Sequence, residues 1–202
     1  ISLTNNNSST VTITGTLNGT AGGSSFVNGA NATLNYGATA VPMATGVLTA
    51  SASPNTVNYS RANTQTIDAT TYHHLTLSGT SAKTAAAALI VNGDFTLSGS
   101  ASLTAGAFTH NFYGNWVVNT TAAAPLTAAT TSVINFNTPA VAAPTTMGGT
   151  TTATIAFADV NINNTSGVTF NDNASFSAGT TPTLTVAAAS TLTPAAAVII
   201  SG

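Results

Sequence analysis

Apolar and small polar residues alternate along most of this chain. Thr10-Val-Thr-Ile-Thr14, Leu75-Thr-Leu77, Phe95-Thr-Leu97, Val160-Asn-Ile162, Val168-Thr-Phe170 and Leu184-Thr-Val186 all repeat with a period of two. That period sends successive side chains to opposite faces, so each segment predicts a short strand with one buried and one solvated side. Asn18-Gly19, Gly22-Gly23, Asn92-Gly93, Gly148-Gly149 and Thr181-Pro182 separate such segments and predict turns. Residues 85–88 and 187–189 are alanine runs with helical propensity, but Thr, Ser and Asn surround them and no 3.6-residue apolar stripe extends either. The expected class is all-β.

The strand pattern repeats. Leu34-Asn35-Tyr36, Val57-Asn58-Tyr59 and Ile134-Asn135-Phe136 are variants of one triplet, with 77 residues between Tyr59 and Phe136. Tyr72-His-His-Leu-Thr-Leu77 matches Phe157-Ala-Asp-Val-Asn-Ile162 at a spacing of 85. The reading is a single repetitive β domain over residues 1–202, with an internal duplication of 55–132 and 133–202 and a divergent part at 1–54. Apolar centres at Leu75, Ile90, Leu103, Trp116, Ile134, Ile155, Phe170, Leu184 and Val198 recur at intervals of about 13 to 21 residues, which suits the coils of a β-solenoid. Ten coils of about 20 residues would make a rod of roughly 50 Å at the spacing of paired strands. Tandem Ig-like β-sandwiches are the alternative, since they share the alternation and turn spacing. Irregular anchors and abundant Asn-Gly turns favour the solenoid.

Charge changes the picture more than any motif. Only Arg61, Lys83, Asp68, Asp94, Asp159 and Asp172 are charged, Glu and Cys are missing, and the net charge is −2. A nucleic-acid partner needs a basic stripe, and an enzyme needs clustered titratable groups, so neither nucleic-acid binding nor catalysis is expected. The chain begins at Ile1 without an initiator Met or a basic and apolar leader, which reads as a processed chain or a segment of a longer one. No apolar run reaches the length of a membrane helix, the best being residues 85–91. With 43% hydrophobic residues the chain should fold, and its weakly charged surface favours association outside the cell.

Few residues offer chemistry. His73 and His74, being adjacent, are expected on opposite sides of a strand and unable to share a metal, with His110 remote from both. Asp159 with Asp172, or Asp68 with Asp94, would approach on successive coils and could hold calcium with the help of backbone carbonyls; otherwise no cofactor is expected. Phe112, Tyr113 and Trp116 form the densest aromatic group, a candidate ligand platform for a carbohydrate, although packing inside the solenoid is the commoner use of such a group. The Thr-x-Thr strings at 10–14 and 183–185 are too irregular for a flat ice-binding array.

Tyr72-His-His-Leu-Thr-Leu-Ser-Gly79, Ile90-Val-Asn-Gly-Asp-Phe-Thr-Leu97, Leu103-Thr-Ala-Gly106, Tyr113-Gly-Asn-Trp116 and Val133-Ile-Asn-Phe136 resemble the β-strand repeats of large secreted bacterial cell-surface, adhesin-like proteins. The resemblance covers about residues 55–192. It implies a right-handed parallel β-solenoid on the cell exterior and no catalytic residues. The terminal segments containing Ile1 and Leu3, and Val198, Ile199 and Ile200, read as uncapped strands. They are expected to pair with copies of the protein or with adjacent repeats, in a fibre, sheath or surface layer. An adhesin segment binding carbohydrate or a host surface is the alternative function, and a polysaccharide-cleaving enzyme, for which the chain has few acids, ranks last.

Overall fold

The structure, a computed structural model, describes residues 1–20, 23–179 and 181–200; Gly22, expected in a turn, lies outside the described residues. Over the described residues the chain is an all-β parallel solenoid of nine coils. Each coil contributes one strand to a first face and one to a second, and most contribute one to a third. The first face stacks Ser2–Asn5, Ser25–Asn28, Val47–Thr49, Thr71–Tyr72, Ile90–Val91, Thr109–Phe112, Val133–Asn137, Asp159–Asn163 and Leu184–Val186, with a bridge between Ala50 and Tyr72 joining its two segments. The second stacks Thr10–Ile13, Thr33–Tyr36, Thr56–Tyr59, His74–Leu77, the start of Phe95–Gly106, Trp116–Thr120, Thr145–Gly149, Val168–Phe170 and Leu192–Pro194. From the third coil onward a third face forms: Gln65–Ile67, Thr80–Ala85, the end of Phe95–Gly106, Leu126–Ala128, Ile155–Phe157, Ala174–Phe176 and Val198–Ile200.

The alternation read from the sequence becomes ladders. On the second face the inward column runs Val11, Leu34, Val57, Leu75, Phe95, Trp116, Met147 and Phe170, each in register with the next. The outward neighbours run Thr12, Asn35, Asn58, Thr76 and Thr96, a mixed column of Thr and Asn that ends in Val117 and Gly148. On the first face the inward column passes from Asn5 and Asn28 through Ala50, Tyr72 and Val91 to Phe112, Phe136 and Ile162. β-branched and aromatic residues suit these strands because they pack well across the pleat.

The coil is longer than the spacing of the apolar centres implied. Thr10, Thr33 and Thr56 are 23 residues apart, and later steps on the second face span 18 to 24 residues, except 31 between Trp116 and Met147. Nine coils give a rod of roughly 40 Å. The centres rotate among faces rather than marking one face: Leu75 is on the second, Leu103 on the third and Ile134 on the first, while Ile90 points outward. Likewise Tyr59 stands on the second face and Phe136 on the first, whereas Leu34-Asn35-Tyr36 and Val57-Asn58-Tyr59 stack directly. Gly148 and Gly149, read as a turn, end the strand Thr145–Gly149.

Backbone hydrogen bonds between coils are supplemented by amide ladders. On the first face Asn135 Nδ2 donates to Asn111 Oδ1 at 3.0 Å, and Asn161 Nδ2 to Asn135 Oδ1 at 2.9 Å. Inside, Asn5 Nδ2 donates to Asn28 Oδ1 at 3.0 Å and Asn28 Nδ2 to Thr56 O at 2.9 Å. Stacked identical amides satisfy one another where few charges are present. The wider end of the core is aromatic: Phe112 and Phe95 lie 4.9 and 5.0 Å from Trp116, and Phe136, Phe157, Phe170 and Phe176 continue the cluster at 5.6 to 6.2 Å.

Candidate functional site

The corner between the first and second faces is uneven, and the unevenness makes a trough. In coil three the corner occupies residues 50–55, in coil four His73 alone, in coils five and six residues 92–94 and 113–115, and in coil seven residues 138–144. Three short corners therefore lie recessed between two long ones. Glycine permits the recess: a Cβ on Gly114 would stand 2.4 Å from the Gly93 carbonyl group, so these corners approach to backbone contact. The trough encloses about 400 Å³. His73, Asn92 and Tyr113 floor it, Ser51 and Ser53 form one wall, and Thr138 and Ala140 the other.

The floor is held from beneath. Asn92 N–H donates to Tyr72 O at 3.0 Å, Gly93 N–H to His73 O at 2.8 Å and Tyr113 N–H to Val91 O at 2.9 Å. His74 Nδ1 accepts the Asp94 N–H at 2.9 Å, and Asp94 Oδ1 accepts the Asn115 N–H and Nδ2–H at 2.9 and 3.0 Å. His73 Nε2 lies 3.4 Å from Ser53 Oγ, tying floor to wall. Burial, with His74 beside it, pushes His73 below the ordinary imidazole value of 6.5 against the opposing pull of Asp94, so the ring is neutral at pH 7. The trough thus presents hydroxyl, amide, imidazole and phenol groups without a formal charge.

The aromatic group is split by the strand period. Phe112 and Trp116 are buried in the core and reach no ligand, which corrects their reading as part of an exposed platform; Tyr113, one residue on from Phe112, faces out and lines the trough. His73 and His74 also differ from expectation. His73 is itself the corner, so strand alternation does not apply and the two rings meet edge to face at 4.4 Å. His110 is buried elsewhere, its Nδ1 accepting the Leu89 N–H at 3.1 Å and its Nε2 bonded to Ala105 O at 2.9 Å.

The expected carboxylate pairs do not assemble. Asp68 follows the third-face strand Gln65–Ile67 while Asp94 stands at the corner before the second face, and Asp159 opens a first-face strand while Asp172 follows Val168–Phe170 within the same coil. Among the described residues no three His, Cys, Asp or Glu side chains gather as a metal site. Ser51, Ser53 and Thr138 carried no signal in the sequence, and Asn92 read only as part of a turn. Residues 51 and 138 meet across one trough only because corners of different length are stacked on common faces. No protein-family model, curated protein or solved structure matches the chain.

Proposed function

We propose that this protein is a structural module of the cell exterior, a β-solenoid that lengthens by stacking coil on coil within a fibre, sheath or surface layer. The observation that carries the reading is the state of the two terminal coils. Among the described residues, the apolar side chains that pack against the core while only partly buried are Val11, Ile13 and Leu17 in coil one, Leu184, Leu192 and Val198 in coil nine, and Ala128. Beside them Leu3 is 58% exposed, Ile199 52% and Ile200 66%, and Ile1 is fully exposed. Among the described residues the strands of coils one and nine are paired on one side only. An open edge with half-covered apolar side chains is a template for another strand, from a second copy or from adjacent repeats.

Low charge supports the same reading. Two cationic and four anionic side chains leave little repulsion between stacked copies and few ion pairs for salt to screen. The absence of Cys and scarcity of Lys support an exterior setting. Sedimentation velocity and electron microscopy test the proposal. The expected result is end-to-end assemblies that grow with concentration and are dispersed by Leu192→Lys, with the circular dichroism of the variant unchanged. If the chain is instead a concentration-independent monomer, two copies fused in tandem decide: a single unfolding transition at higher denaturant keeps coil-on-coil stacking, and two independent transitions reject it.

A further inference from the structure

We propose that the trough between coils three and seven binds an uncharged, polyhydroxylated ligand, a neutral oligosaccharide lying along the rod axis with one ring on Tyr113. The site is independent of the stacking ends, since its floor and walls belong to the middle of the rod.

Five observations converge. The shape is open and elongated: the two walls are four coils apart, about 19 Å at the strand-pairing distance, which suits a polymer segment better than a small enclosed metabolite. The lining is uncharged and mixes polar groups with apolar surface, with no carboxylate, ammonium or guanidinium among Ser51, Ser53, His73, Asn92, Tyr113, Thr138 and Ala140. An ionic ligand would lose hydration there without an opposite charge to replace it. The side chains of Asn92 and Tyr113 are held by their backbones alone among the described residues, which leaves the amide and phenol groups free to meet hydroxyls. Tyr113 offers a half-exposed ring whose face can cover the C–H side of a sugar, and its phenol extends the polar row. The floor groups come from successive coils, so they recur at about 4.8 Å along the axis. A repeating hydroxylated chain can answer that row step by step.

Calorimetric titration with soluble neutral oligosaccharides of glucose, xylose, mannose and galactose, with oligogalacturonate as the anionic comparison, tests the proposal. Saturable binding of at least one neutral oligosaccharide is expected, stronger than that of oligogalacturonate. Tyr113→Ala should weaken it about tenfold and Tyr113→Phe much less, as ring contact predicts. Ala140→Trp, which fills the trough from an exposed wall position, should abolish it while leaving the thermal midpoint in place, and it serves equally if Tyr113→Ala does not fold. Failure of every neutral oligosaccharide to bind at millimolar concentration would overturn the assignment. So would preference for oligogalacturonate, or binding that survives both substitutions in folded protein. Because assembly is read separately by sedimentation, loss of either proposal leaves the other standing.

Discussion

His110 shows how a single titratable residue is locked by this core. It is fully buried, accepting the Leu89 N–H on Nδ1 and bonded through Nε2 to Ala105 O, so the neutral Nε2–H tautomer satisfies both partners. Protonation of Nδ1 would break the Leu89 bond. Burial pushes the imidazole below its ordinary 6.5, with the Ala105 hydrogen bond opposing. The unfolded chain therefore takes up a proton before the folded chain does. This contribution to stability is full above pH 6.5 and is lost as pH falls from there toward the lower folded value. His73 shifts in the same direction, so the share of His110 is the difference in acid dependence between the protein and His110→Gln, measured by urea unfolding at several pH values. His110→Ala, which strands the Leu89 N–H, should cost about 1–3 kcal/mol near pH 7. Lys83 follows a different logic: its buried ammonium donates to the carbonyls of Arg61, Asn63 and Thr80 at 2.5, 2.9 and 3.0 Å, while burial and Arg61 push it down to about 8.

At the scale of the strand and its corner, close backbone approach governs what the sequence tolerates. Gly114→Ala would put a methyl group 2.4 Å from the Gly93 backbone, which cannot move aside as a flexible side chain would. Separation of coils five and six should cost about 1–3 kcal/mol, seen as a lower urea midpoint with an unchanged slope. Strands were legible from local alternation because a period of two needs no long-range information: Thr10–Ile13, His74–Leu77, Val168–Phe170 and Leu184–Val186 all stand where the pattern put them. Face assignment was not legible. An in-out-in triplet such as Val57-Asn58-Tyr59 or Ile134-Asn135-Phe136 fits any side of the solenoid, and corner length alone decides which side it joins. The trough was hidden for the same reason, since His73 reads as a strand residue until its neighbours bend around it. Trp116 was ambiguous because Val117, the residue pointing the other way, is apolar too.

For the whole molecule, the coil is the unit of stability, because each strand pairs only with the coils directly before and after it. Thr33–Tyr36 and Thr56–Tyr59 occupy the same column in register, with the sequences Thr-Leu-Asn-Tyr and Thr-Val-Asn-Tyr. Excision of residues 33–55 would place Thr56 where the Thr33 N–H donates to the Ser9 carbonyl of coil one. That shortened chain should fold to the same circular dichroism spectrum, with a urea slope reduced by roughly a ninth, in proportion to the buried surface removed. An unfolded product would show that coils one and two depend on contacts beyond their neighbours. The strands lie across the rod, so the hydrogen bonds joining one coil to the next point along it. Tension applied to the two ends meets those bonds in succession rather than together, and each yielding coil of 23 residues releases about 80 Å of slack chain. The rod is thus a reel: stiff and short at rest, and able to lengthen stepwise under load while the remaining coils stay wound.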